Sequence, residues 1–175
     1  EAGFQAATTT EIAQRLGVED AWPVVGEPYL NWVIEDKFAA GRPAWEAAGA
    51  TFVTNAAPYE RLKLRMVNGP HSALAYLGGL LGIATIGEAA ALPALRGFLD
   101  DMMRCEIAPT LKGIPDVGLE GYRHRFLGRV VNPELPQLTR QVAMDGSQKL
   151  PQRLLATIRE RLRGGDDIRR LALAV

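Results

Sequence analysis

Cysteine is almost missing: Cys105 stands alone in 175 residues, so no intrachain disulfide can form. Histidine is nearly as scarce. His71 and His124 lie far from each other and from Cys105, which leaves no zinc-ligand spacing and no expectation of a metal. An excess of either charge is absent too, because 20 Lys+Arg balance 20 Asp+Glu. A neutral chain lacks the electrostatic footprint of a nucleic-acid or anionic-membrane binder. Long hydrophobic runs are also lacking. The most apolar stretch, residues 73–86, is 14 residues long and carries Gly78, Gly79 and Gly82. That is short of the ~20 residues a membrane span needs. The opening Glu1-Ala-Gly-Phe4 has neither the basic start nor the apolar core of a secretory leader, so a cytoplasmic location is expected. Neither G-x-G-x-x-G nor G-x-x-x-x-G-K-[ST] occurs, nor a G-x-S-x-G elbow.

What remains is a chain with 47% hydrophobic and 23% charged residues, enough apolar surface for a packed core and incompatible with disorder. Thr8-Thr-Thr-Glu11 reads as a capping box for a short helix closed by Gly17, with a loop over 23–28. Leu30, Trp32 and Ile34 alternate in a way that suits a strand as well as a helix, and Thr51-Phe-Val-Thr54 is a second strand candidate. Everything beyond is helical in pattern. Pro58 fits the first turn of a helix over 59–67, and Gly69-Pro70 is expected to break or kink the path. Further helices are expected over 71–90, 93–109, 119–130, 136–144, 151–163 and from 168 onward. The fold class is therefore mainly α, with one or two short strands near the N-terminus. Residues 1–57 read as a connecting segment and 58–175 as a helical domain. Apolar periodicity runs to Val175 without a capping signal, so a fragment of a longer polypeptide is expected.

Two stretches carry chemistry. At 100° per residue, Glu60, Lys63, Asn68 and His71 share a face about 140° wide on an ideal helix, with Leu62 and Met66 behind it. A carboxylate, an amine, an amide and an imidazole on one face are the parts for acid/base work on an oxygen substituent. A buried Lys63 could exchange protons near neutral pH. An exposed helix with a Glu–Lys i,i+3 pair is the ordinary alternative. In the second stretch, Asp145-Gly-Ser147 is turn chemistry, with Gly146 free to take positive φ, and Pro151 is expected to seed a helix. Lys149 would then stand at a helix N-terminus against the macrodipole, as a functional residue or as a solvated loop lysine.

Glu60-x-x-Lys63-x4-Asn68-x2-His71 resembles the catalytic stretch of the long-chain mannitol dehydrogenase family, which includes polyol 2-dehydrogenases and fructuronate and tagaturonate reductases. Trp32-Val-Ile-Glu-Asp-Lys-Phe38, Gly41-Arg-Pro43 and Asp145-Gly-Ser-Gln-Lys-Leu-Pro-Gln-Arg153 resemble its other landmarks, in the same order. The resemblance implies the C-terminal domain of a two-domain, metal-independent oxidoreductase using NAD or NADP. The cofactor would be bound mainly by an N-terminal Rossmann domain, the expected partner of this one. Substrates would be a sugar, polyol or uronate, such as fructuronate/mannonate or fructose/mannitol. By the same resemblance Lys63 is the general acid/base, Asn68 and His71 hold the reacting oxygen, and Glu60 relays protons. Lys149 and Arg153 would bind substrate hydroxyl or carboxylate groups. Without its cofactor domain the chain is expected to be inactive. The competing expectation is a free-standing helical binding module that kept the fold and lost the chemistry.

Overall fold

The computed structural model describes Gly17, Glu19, residues 30–114 and residues 118–175. The expected capping box at Thr8 and the 23–28 loop lie outside the described residues.

Two short strands, β1 (Trp32–Glu35) and β2 (Ala50–Val53), pair in parallel, Trp32 opposite Ala50 and Glu35 opposite Val53. The alternation around Trp32 and Ile34 thus resolves as a strand. A 3₁₀ turn, Trp45–Ala48, returns the chain between them. Over this module Arg42 lies across the Phe52 ring and bonds Asp36 and Glu46, while Trp32 and Trp45 stack with centroids 5.7 Å apart.

Helices follow. Pro58 occupies the first turn of α1 (Ala57–Lys63), as proline's fixed φ and missing N–H favour. Gly69-Pro70 does not break the path. Leu64–Asn68 widens into a π-helical turn, the Gly69 N–H reaching back to the Leu64 carbonyl, and α2 (Gly69–Leu80) continues from it. Proline at 70 has no N–H to give and crowds the carbonyl four residues back, and a wider turn accommodates both defects. The pattern recurs. α4 (Pro93–Asp101) runs into a π segment at Met102–Ile107 just before Pro109, and α7 (Gly146–Leu150) runs into another at Pro151–Leu155, continuing as α8 (Ala156–Arg163).

The single helix expected over 71–90 is two. α2 ends at Leu80, Gly82 turns the chain at φ +72°, and Thr85 caps α3 (Ile86–Ala91) with a full capping box to Glu88. Gly78 serves that fold-back, because a Cβ there would stand 2.9 Å from the Ala89 methyl. α5 (Leu119–Arg129) and α9 (Arg169–Leu173) match expectation, whereas α6 (Thr139–Ala143) is shorter than the 136–144 expected. Leu138, just before the helix, is held in extended form instead: Thr85 and Leu138 form an antiparallel bridge, and the Thr139 hydroxyl donates to the Ile83 carbonyl at 2.7 Å.

The core gathers Leu62, Met66, Leu74, Ile86, Leu99, Met102, Met103, Ile107, Phe126, Leu154 and Leu171 from six continuous helical runs. Within it, the buried Glu106 carboxylate accepts the Arg170 and Leu171 main-chain N–H groups at 3.1 and 2.8 Å, fastening α9 to the body. His124 stands exposed beside Glu120. The mixed-charge stretch 159–170 is solvated only in part: Arg161 and Arg170 are engaged by neighbouring acceptors.

Candidate active site

Three elements converge on a polar cleft of about 400 Å³ lined by Asn68, His71, Gln137, Gln141, Val142, Lys149 and Arg153. The π turn and α2 supply Asn68 and His71. The α7 run supplies Lys149 and Arg153, and α6 with the stretch entering it supplies the glutamines.

The π turn decides how the first pair is presented. It inserts one residue beyond α-helical need, which sets everything after it back by about 100°. Lys63 and Asn68, five apart, are thereby spaced as an i,i+4 pair, and Lys63 and His71 as i,i+7. On that count Glu60, Lys63, Asn68 and His71 fall within about 80°, a narrower row than the ideal helix predicts. The row runs out of the cleft. Asn68 and His71 are half-buried in its wall, whereas Lys63 and Glu60 are exposed. Glu60 and Lys63 form no ion pair among the described residues.

Lys149 also stands differently from expectation. It lies inside α7, and the helix begins before it: Asp145 adopts φ +58° and Gly146 opens the helix. Gly146 lies close to Tyr76: a Cβ there would meet the Tyr76 hydroxyl at 2.8 Å, and the ring would have to shift. One turn below Asp145, the Lys149 ammonium sits 3.8 Å from the Asp145 carboxylate and donates to the Val142 carbonyl at 3.4 Å. Pro151 lies within the continuing helix. Two residues on, the Arg153 guanidinium donates to the Ser72 hydroxyl at 3.2 Å, tying the α7 run to α2.

His71 forms the partition between this cleft and a smaller cavity of about 100 Å³, with Gln137 as the other shared wall. Val67, Ile86, Phe126, Arg129 and Asn132 line the smaller one, and the imidazole packs on Phe126 at 5.3 Å between centroids. Burial, then the charges of Arg153 and Arg129, push the His71 pKa down to about 4. At neutral pH it is an uncharged imidazole, able to donate from one nitrogen and accept at the other. The cleft therefore offers two cations, a neutral imidazole and three amides, a set suited to hydroxyl groups, a carbonyl oxygen or a carboxylate.

The structure brings Asn68, His71, Lys149 and Arg153 together and leaves Glu60 and Lys63 outside their cleft. Gln137, Gln141 and Val142 were not expected there. Gln137 arrives through the long-range Thr85–Leu138 bridge, which no local pattern announces, and a glutamine carries no motif of its own.

Among the described residues no glycine turn joins a strand to a helix N-terminus, as a dinucleotide's phosphates require. Where β2 leads into α1 the turn is Thr54-Asn55-Ala56, and the Glu35 carboxylate already accepts the Ala56 N–H at 3.1 Å. Hydrogen bonds from Lys37 and Ala56 hold that carboxyl below its ordinary range, so a negative charge occupies the place a phosphate would take. No group of three or more His, Cys, Asp or Glu among the described residues could hold a metal. No described helix is long and apolar enough to cross a membrane.

Fold and cleft together define a mainly α-helical domain with a cleft lined by polar and cationic side chains. The chain belongs to the mannitol dehydrogenase C-terminal domain family, whose model matches residues 55–175. It is 48% identical over 168 residues to the D-mannonate oxidoreductase of Escherichia coli K12, covering 96% of this chain and 35% of that protein. Two solved structures share its fold: a substrate-free D-sorbitol dehydrogenase (TM-score 0.87, 31% identity) and a Pseudomonas fluorescens mannitol 2-dehydrogenase in ternary complex with NAD and D-mannitol (TM-score 0.86, 35% identity). Each match covers 97% of this chain and 36% or 35% of the other, so the chain spans about a third of the length of these relatives.

Proposed function

We propose that this chain is the substrate-binding and catalytic part of an NAD(P)-dependent oxidoreductase. The reaction would interconvert a ketose or keto-uronate and the corresponding polyol or aldonate. The observation that carries this reading is the gathering of Asn68, His71, Lys149 and Arg153 into one polar cleft. The names of the relatives supply the substrate class, mannonate or mannitol and sorbitol. Residues 1–57 act as a connecting segment and 58–175 as the helical domain, with the cofactor held by a Rossmann domain preceding both.

Reducing a ketone carbon leaves negative charge on its oxygen. In this reading the Asn68 amide and the neutral His71 imidazole hold that oxygen, and one such preorganised donor contributes about 3 kcal/mol to transition-state stabilisation. Lys63 protonates the oxygen on reduction and takes the hydroxyl proton on oxidation, worth about 10²- to 10⁴-fold. Glu60, exposed on the same row, relays protons between Lys63 and water. Burial of Lys63 would come from the preceding domain closing over the row, which accounts for its exposure in this chain. Lys149 and Arg153 read the hydroxyl or carboxylate groups of the remaining carbons.

The test is NADH oxidation by the full-length polypeptide with D-fructuronate and D-fructose at equal concentration, for wild type and Lys63→Ala. The expected loss in kcat is about 10²-fold or more with cofactor affinity nearly unchanged. A variant retaining more than about a tenth of wild-type turnover would remove Lys63 from the acid/base role. Turnover of neither substrate by the wild type would overturn the reading itself.

A further inference from the structure

We propose that a second cleft, behind the helix that carries Asn68, binds an anion of the phosphate class. It has a volume of about 420 Å³ and shares no lining residue with the polar cleft. Arg61 and Arg65 lie about 120° or more around the helix from Lys63 and Asn68, so this cleft opens on another face. Its charged walls are Arg61, Lys112, Arg161, Glu160 and Asp166.

The carboxylates are already engaged. Glu160 accepts Arg65 at 2.7 Å, and Arg65 is itself buried, its guanidinium also reaching the Thr110 carbonyl at 3.3 Å. Asp166 faces Arg161 at 3.6 Å, while a second Arg161 nitrogen donates to the Asp167 carbonyl at 3.3 Å. With its side chain only 11% exposed, Arg161 is a fixed wall rather than a mobile surface cation. Arg61 and Lys112 have no ion-pair partner among the described residues. Four cations, counting Arg65, thus face two carboxylates in a chain whose formal net charge is zero.

A recess with such an excess focuses a positive potential between low-dielectric walls. A single carboxylate would satisfy one free cation. A phosphate, with more than one negative charge and oxygens in several directions, can meet Arg61 and Lys112 together while a third oxygen approaches Arg161. Binding here would stand whether or not the polar cleft takes a sugar. Inorganic phosphate and a phosphomonoester on a small metabolite share this chemistry.

Calorimetric titration of the full-length polypeptide, with NADH saturating to block the dinucleotide site, separates the outcomes. Inorganic phosphate and fructose 6-phosphate are titrated in parallel into wild type, Arg61→Ser/Lys112→Ser and Lys149→Ala. The expected result is one site per chain, weakened at least tenfold in the double variant and unchanged in Lys149→Ala. Tighter binding of the sugar phosphate identifies a metabolite as the occupant, and equal binding identifies free phosphate. Absence of saturable binding at millimolar ligand overturns the proposal. So does binding that survives in the double variant. Both substituted side chains are exposed, so the variant is expected to keep its fold, and a circular dichroism melt checks this.

Discussion

Gly69 lies against the main chain of Arg153: a Cβ on Gly69 would stand 2.9 Å from the Arg153 carbonyl oxygen and 3.3 Å from the Leu154 side chain. Here two π segments meet, one delivering Asn68 and the other Arg153. Gly69→Ala must push the helices apart, because the opposing atom is backbone and cannot rotate away. The expected destabilisation is about 1–3 kcal/mol, read by urea unfolding. In the full-length protein KM for the sugar should rise more than kcat falls, since the cleft widens where substrate is gripped. An unchanged urea midpoint would show that the two segments are free to separate.

The buried Glu106 carboxylate holds the first turn of α9 by two main-chain N–H groups and the Arg170 guanidinium. Glu106→Gln keeps the shape but places an amide NH₂ where donors already point. A lost hydrogen bond to a buried charged group costs about 1.5–3 kcal/mol. The expected effect is a loss of that order, together with faster amide exchange confined to Arg169–Leu173. Exchange that stays slow in this helix would mean apolar contacts from Leu171 suffice to hold it.

His71 gives the fold an acid limit. Its folded pKa, about 4, lies below the ordinary 6.5, so the unfolded chain takes up the proton first. Between those values stability rises with pH. The neutral imidazole is tolerated at full strength above 6.5, and the protein weakens as pH falls towards 4, by roughly 3 kcal/mol at most. His71→Gln should flatten the 4–6.5 portion of a stability–pH curve. Equal slopes in variant and wild type would assign the acid sensitivity to other groups.

The helical class, Pro58 at a first turn and the Thr51 strand could be read from local pattern because each depends on neighbours a few residues away. Gly69-Pro70 and Pro151 misled for a physical reason: proline disfavours a helix locally, but tertiary packing held both helices together through π turns. The 71–90 helix looked continuous because Leu80-Leu-Gly-Ile83 keeps apolar character through a turn at Gly82. In the cleft, Asn68, His71, Lys149 and Arg153 were legible as motif residues. Gln137 and Gln141 were not, since a bridge spanning more than fifty residues brings their segment in.

The π turn at Leu64–Asn68 also absorbs one residue of chain length without rotating the helix beyond it. Deleting one residue there would restore an ordinary α-helix, with Leu62 and Met66 still offering an apolar side. The amide and imidazole would keep their bearing, because the π turn already sets them back by the ~100° that one extra residue adds. An α-helix of unchanged length would instead swing both out of the cleft. In this stretch the width of the turn, not the residue count alone, decides where the side chains point.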